Sequence, residues 1–217
     1  MGESEPRERE TGTRELGTRE PGLRERKRQR MYQEVSDTAV RLFLERGFDA
    51  VPVAEVAAAA GISKPTLFRY FPAKEDLVLH RIADHEDEAA RVVAGAPDPV
   101  DALRRHFLAG LERRDPVTGL NDHPQVLAFH TLLYGTPSLV ARAYRHQERS
   151  EAALAEALGG DLDARLAAGQ IIAVQRILAL DNWRRIAAGE KVADVAPDAV
   201  RAAERAFGRL GAALTRG

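Results

Sequence analysis

Residues 61–77 carry the tightest local constraint in the chain. A glycine, a Ser-Lys-Pro start and a second proline confine any helix between them to about two turns. Ser63 is a natural N-cap, because its hydroxyl can accept from a backbone N–H two or three residues on. Pro65 fits a first turn, where its missing N–H is not needed. Pro72 pushes Phe71 out of the α region and ends the helix. Leu67 and Phe71, four apart, share one face, which leaves Lys64, Thr66, Arg69 and Tyr70 to point elsewhere.

The flanking residues turn this short helix into a motif. Val53 to Ala60 is a compact alanine-rich segment, and Gly61 follows where a left-handed cap is expected. Helix, glycine turn and capped second helix make a helix-turn-helix. Before it, Val35, Ala39, Leu42 and Phe43 fall on a single helical face, closed by Gly47 with Phe48 as the cap's hydrophobic contact. The short helix also opens on Lys64 with no acid in its first turn. The helix dipole disfavours that by roughly 0.3–1 kcal/mol. An anion such as DNA phosphate nearby would reverse the sign; an ordinary surface lysine is the competing reading.

The stretch of about 28–79 resembles the DNA-binding domain of the tetracycline-repressor (TetR) family, over about a quarter of the chain. The resemblance rests on Ala39, Leu42-Phe43, Glu45-Arg46-Gly47-Phe48, Val56-Ala57, Ala60-Gly61-Ile62-Ser63, Thr66 to Phe71 and Lys74-Glu75-Asp76-Leu77. It implies an all-α protein of about nine helices, with an N-terminal helix-turn-helix DNA-binding domain and a C-terminal helical ligand-binding and dimerisation domain. On that plan 1–23 is a disordered low-complexity tail, 24–79 the DNA-binding domain and 80–217 the remainder. Double-stranded DNA with a pseudo-palindromic operator, a small-molecule effector and a second copy of the chain are the implied partners. Lys64, Pro65, Thr66, Arg69, Tyr70 and Lys74 are the expected DNA contacts.

Charge distribution agrees. The formal net charge is −1, yet residues 24–74 hold ten Lys/Arg against six Asp/Glu, leaving −5 for the rest. A basic module on an acidic body is the footprint of a nucleic-acid binder. Residues 1–23 repeat glycine with alternating Arg and Glu, too polar to build a core. The basic cluster Arg24, Arg26, Lys27, Arg28 and Arg30 either enters a minor groove as an arm or extends the first helix as a solvated turn.

Beyond residue 73 no stretch alternates with period two for long. Breaks at Gly95-Ala96-Pro97, Asp115-Pro116, Gly135-Thr136-Pro137, Gly159-Gly160, Gly189 and Pro197 separate a fourth helix of about 73–94 from five more, the last starting near 198. The penultimate helix is apolar nearly all round, through Ile171 to Val174 and Ile177 to Leu180. The last carries Val200, Ala203, Phe207, Leu210 and Leu214 in one stripe. In the family the last two helices pair across a two-fold axis, so Val174, Ile177, Phe207, Leu210 and Leu214 are the expected dimer contacts. A monomeric core is the alternative.

Val126, Phe129, His130, Leu133 and Tyr134 share a face, and His106 borders another made by Leu103, Phe107 and Leu111. With Gln175 these give apolar walls and a few polar groups, the description of a ligand pocket. His106, Phe129, His130, Tyr134 and Gln175 are the expected ligand contacts; satisfied core residues are the competing reading. No catalytic residue, cofactor or metal site is assigned. The chain has no cysteine, no G-x-S-x-G, no H-E-x-x-H and no phosphate loop. His80, Asp84, His85 and Glu88 read as a polar helix face. With no apolar run of transmembrane length, a soluble cytoplasmic protein is expected. A repressor released by a hydrophobic ligand leads; a ligand-independent activator or architectural protein is the alternative, which a closed core without a cavity would favour.

Overall fold

A computed structural model describes residues 23–83 and 85–214, and all its regular elements are helical. They are α1 (Leu23–Arg46), α2 (Val53–Ala59), α3 (Lys64–Tyr70), α4 (Asp76–Ala83), α5 (Glu88–Val93), α6 (Pro99–Glu112), a 3-10 turn (Pro116–Thr118), α7 (Pro124–Gly135), α8 (Pro137–Ala157), α9 (Leu162–Ala187) and α10 (Val192–Leu214). The expected disordered tail lies, except for Leu23, outside the described residues. Leu23 opens α1, so the basic cluster continues that helix, with Arg26, Lys27, Arg28 and Arg30 exposed.

The first three helices fold as their caps dictate. Val35, Ala39, Leu42 and Phe43 are buried on one face of α1, and Gly47 closes it at φ +89. Gly61 adopts φ +68, its N–H donates to the Ala58 carbonyl and that of Ile62 to Ala57, a Schellman closure of α2. Ser63 Oγ accepts from the Thr66 N–H at 3.2 Å, and Leu67 and Phe71 are buried. An Arg46–Glu55 ion pair ties the end of α1 to α2. This core also takes in Leu77, Val78 and Leu79 of α4, together with Leu133 of α7 and Leu139 of α8. It therefore reaches into the second half of the chain.

The second core joins α5, α6, α8, α9 and α10 around Leu103, Phe107, Leu154, Ile171 and Phe207. Gly119 shows how closely the loop after α6 sits on α9. A Cβ there would lie 1.9 Å from the Ala179 carbonyl oxygen, and its φ of +71 suits glycine alone. The neighbouring Thr118 carbonyl accepts from the buried Asn182 side chain at 2.9 Å.

Three expectations are corrected. The helix expected over 73–94 is two, α4 and α5, so the described residues hold ten α-helices rather than nine. Glu86, Asp87 and Glu88 explain the break: carboxylates oppose the dipole at a helix C-terminus and suit an N-terminus. Pro197 does not start a helix but lies inside α10. Its missing N–H leaves a carbonyl one turn back without its partner; the buried run Val192, Val195, Ala199 and Ala203 carries the helix through. Lastly, Phe207 and Leu210 face the protomer's own interior rather than a partner. Phe207 is 1% exposed with its ring 5.9 Å from that of Phe107, and Leu214 and Val174 pack partly buried against the same core. Of the five expected dimer contacts only Ile177 is exposed, at 56%.

Phe207 is thus a fold residue. Phe207→Ala should lower unfolding stability by about 3–5 kcal/mol, read from urea denaturation by circular dichroism. Sedimentation of the folded fraction should be unchanged; a change of assembly state without loss of stability would contradict this placement.

Candidate functional site

The exposed side of α3 and the turn before it form one polar, cation-bearing surface. Lys64, Pro65 and Arg69 are exposed, Thr66 and Tyr70 half-buried, and no acid stands in the first turn. Thr66 Oγ1 is 2.7 Å from Ser63 Oγ. Arg69 stacks on Tyr70 at 5.1 Å and donates to its hydroxyl at 3.3 Å. Tyr70 meets the edge of Tyr32, 5.1 Å away on α1. These contacts hold the guanidinium and phenol in place before any ligand arrives. Phe68 is 40% exposed, an apolar contact set between the cations.

Lys74 does not join this surface, which corrects its assignment. Its Nζ donates to the Phe48 carbonyl at 2.5 Å and lies over the Phe48 and Phe43 rings at 4.5 and 5.3 Å. An ammonium is attracted both by carbonyls just past a helix end and by aromatic faces. Lys74 fastens the loop before α4 to the end of α1.

Behind this domain lies a cavity of about 770 Å³. His106, Phe129, His130, Tyr134 and Gln175 all line it. The walls also use Glu88, Tyr144, His146, Arg176, Trp183 and Arg184. Tyr144 and His146 went unrecognised because the α8 segment Arg142 to Arg149 is so charged that it reads as a solvated face. Yet His146 is 5% exposed. Tyr134 and Trp183 face one another at 4.6 Å, with His130 6.2 Å from Trp183.

The titratable groups sort by partner. Burial holds His130 down to about 4, and its Nδ1 has no hydrogen-bond partner among the described residues. Burial pushes the Tyr134 phenol up, against the opposing fields of Arg176 and Arg184. Glu88 is held down to about 2, first by its hydrogen bond with His85 at 2.6 Å, then by His106 at 2.9 Å. Burial alone would push Glu86 up; hydrogen bonds with Arg149 and His146 hold it below the usual carboxylate range. The polar helix face expected from His80, Asp84, His85 and Glu88 is split: His80 lies on α4, stacked on Tyr32 at 5.1 Å, His85 in the turn bonds Glu88 of α5 at 2.6 Å, and Asp84 lies outside the described residues.

Helix α4 touches both regions. Leu77, Val78 and Leu79 are buried in the first core, and the Leu77 carbonyl accepts from buried Ser36 of α1 at 2.8 Å. Ile82, one turn on, lines the cavity. At its start, Asp76 takes a two-pronged bond from Arg142 of α8, both contacts at 2.8 Å, and also accepts from the Ala73 N–H at 3.0 Å.

Residues 36–80 match the tetR family of bacterial regulatory proteins. The transcriptional regulator TcmR of Streptomyces glaucescens is 31% identical over 147 residues, 64% of this chain and 65% of its own. The chain thus spans just under two thirds of TcmR, and less of the other curated relatives it matches. Two solved structures are similar in fold. GusR of Salmonella enterica has a TM-score of 0.55 at 19% identity, covering 86% of this chain and 96% of that one. NalD of Pseudomonas aeruginosa, the secondary repressor of the MexAB-OprM multidrug efflux pump, has 0.54 at 15% identity, covering 83% and 97%.

His130 offers a check on the cavity wall. Its ordinary value is 6.5 and its folded value about 4. Between these the unfolded chain binds a proton that the folded chain refuses, so this contribution to stability is present above about 6.5 and is lost as pH falls toward about 4. His130→Phe should reduce the difference in urea midpoint between about pH 7 and about pH 5. An imidazole titrating near its ordinary value by NMR would place His130 in water instead.

Proposed function

We propose that the chain, whose residues 36–80 match the tetR family of bacterial regulatory proteins, is a member of that family and a sequence-specific DNA-binding transcriptional regulator, a repressor released from its operator by a small hydrophobic ligand. The observation that carries this reading is the shared helix: α4 is built into the core of the helix-turn-helix domain at Leu77 to Leu79 and lines the cavity at Ile82. A ligand that fills the cavity has a solid path to α3. The cavity also favours a ligand-responsive protein over a ligand-independent activator or architectural protein, for which a closed core was expected.

DNA contacts fall to Lys64, Pro65, Thr66, Arg69 and Tyr70, with Lys74 now a support of the domain. A single α3 spans seven residues and reads few base pairs. A homodimer doubles them, with recognition helices about 34–36 Å apart or a near multiple. The dimer surface is revised from the exposed apolar residues of α9 and α10. Leu162, Leu166 and Ile177 are 60%, 54% and 56% exposed, and Val200 of α10 is 41% exposed. Acting on an operator assigns the protein to the cytoplasm, and among the described residues no helix is long and apolar enough to cross a membrane.

Induction requires the ligand to prefer the DNA-free conformation. A shift from almost fully bound to almost fully free needs about 5.5 kcal/mol of preference. The reading is tested by a gel shift of the protein on its own upstream DNA, repeated over a range of salt. Lys64→Ala should weaken binding about equally on all sequences and lower the salt slope by about one. A wild-type slope in that variant removes the phosphate contact, and no specific shift by the wild type removes the regulator.

The dimer surface is tested separately. Leu166→Glu combined with Ile177→Glu would bury two unpaired charges per protomer in the interface, at several kcal/mol. Helical monomers with weakened operator binding are the expected result in sedimentation. An unchanged dimer would return the contact to another face.

A further inference from the structure

Charges around the cavity are distributed unevenly. On the α5–α6 side Glu88 is shared by His85 and His106. Asp115 is engaged by the Val117 N–H at 3.1 Å and by Arg113 at 3.8 Å. His146 is paired with Glu86. On the α9 side stand Arg176 and Arg184, both lining the cavity. Neither makes an ion pair with any described residue; their charges are felt at the Tyr134 hydroxyl instead. Arg176 is oriented by an aromatic face, its guanidinium 5.8 Å over the Tyr144 ring. The two arginines are eight residues apart, about 12 Å along the helix axis. With side chains of that length both can turn toward one anion between them. The Tyr134–Trp183 pair and Phe129 supply the apolar floor.

We propose that the cavity takes an apolar organic acid, its hydrocarbon or aryl body among Phe129, Tyr134, Tyr144 and Trp183 and its carboxylate against Arg176 and Arg184. This rests on reading the cavity as the effector site and adds the chemical class of the effector. A carboxylate offers two acceptors in the geometry a guanidinium fork matches. Charge-assisted bonds of this kind contribute more than neutral ones, so the acid group discriminates while the apolar body supplies the bulk of the affinity.

Trp183 is the only tryptophan of the chain and forms part of the wall, so its fluorescence reports occupancy directly. The probes are phenylpentanoate, its neutral amide phenylpentanamide and the cation phenylpentylammonium, which share one body and differ in head group. Phenylpentanoate should quench or shift the emission with an affinity about tenfold above the amide or better, with the ammonium weakest. In Arg176→Gln/Arg184→Gln the acid and amide should bind alike, the amide being unaffected. The proposal is overturned if the amide or ammonium equals the acid in the wild type, if the acid's advantage survives in the double variant, or if none of the three binds. The wild-type comparison needs no variant to fold. Operator binding without any probe is measured on the same preparation, so its loss reports on the regulator reading and its retention isolates a failure to the ligand class.

Discussion

The two-pronged bond from Arg142 to Asp76 is the contact on which the working parts depend. Asp76 opens α4, caps the Ala73 N–H and receives both prongs from α8. One carboxylate thus ties together the loop after α3, the start of α4 and α8. The pair is only partly exposed, at 16% for Asp76 and 26% for Arg142. Solvent screens it less than a surface ion pair, and the fork geometry adds direction to the attraction. An isolated surface pair contributes about 0–1 kcal/mol; this one has a geometric role that such a pair lacks.

What could be read from the sequence was what local rules decide. Gly47, Gly61 and Ser63 mark helix ends through backbone conformation and capping, and the structure gives them those roles. The 3.6-residue period of Val35, Ala39, Leu42 and Phe43 identified a buried face correctly. The same periodicity brought His106, Phe129, His130, Tyr134 and Gln175 to one cavity. Periodicity says that a face is covered, not what covers it. Phe207 and Leu210 form a true apolar stripe, but their cover is α6 and α9 of the same protomer. Lys74 carries a charge that suits DNA phosphate, yet the Phe48 carbonyl and two aromatic rings lie closer. Pro197 obeys a strong local rule that tertiary burial overrides.

His146 marks the limit of composition as a guide. It sits in a run of α8 dense with charged residues, and a local count assigns it to solvent. Its burial comes from a residue far away in sequence: Glu86, in the turn after α4, takes hydrogen bonds from both His146 and Arg149. Desolvating an imidazole is unfavourable, and an ionised carboxylate held in place by an arginine offsets that. Such an arrangement depends on where two helices cross, which no window of sequence contains.

Together these contacts make α4 a strut pinned at both ends to α8. Asp76–Arg142 holds its start, and Glu86 with His146 and Arg149 holds the turn just past its end. Pinned twice, α4 resists tilting on α8 alone; a displacement of α8 carries it along. The buried Leu77, Val78 and Leu79 then carry the helix-turn-helix core with it, because a close-packed interior transmits a shift rather than absorbing it. The cavity meets this assembly from within, at Ile82 on α4 and at Tyr144 and His146 on α8. On the proposed reading, a ligand that separates α8 from α9 acts on α3 without touching it. The charges proposed to choose the ligand, Arg176 and Arg184, stand on α9, outside the α4–α8 pair. Selection and transmission are thus assigned to different helices. A change at Arg176 can alter which molecule is bound while leaving the route to α3 intact.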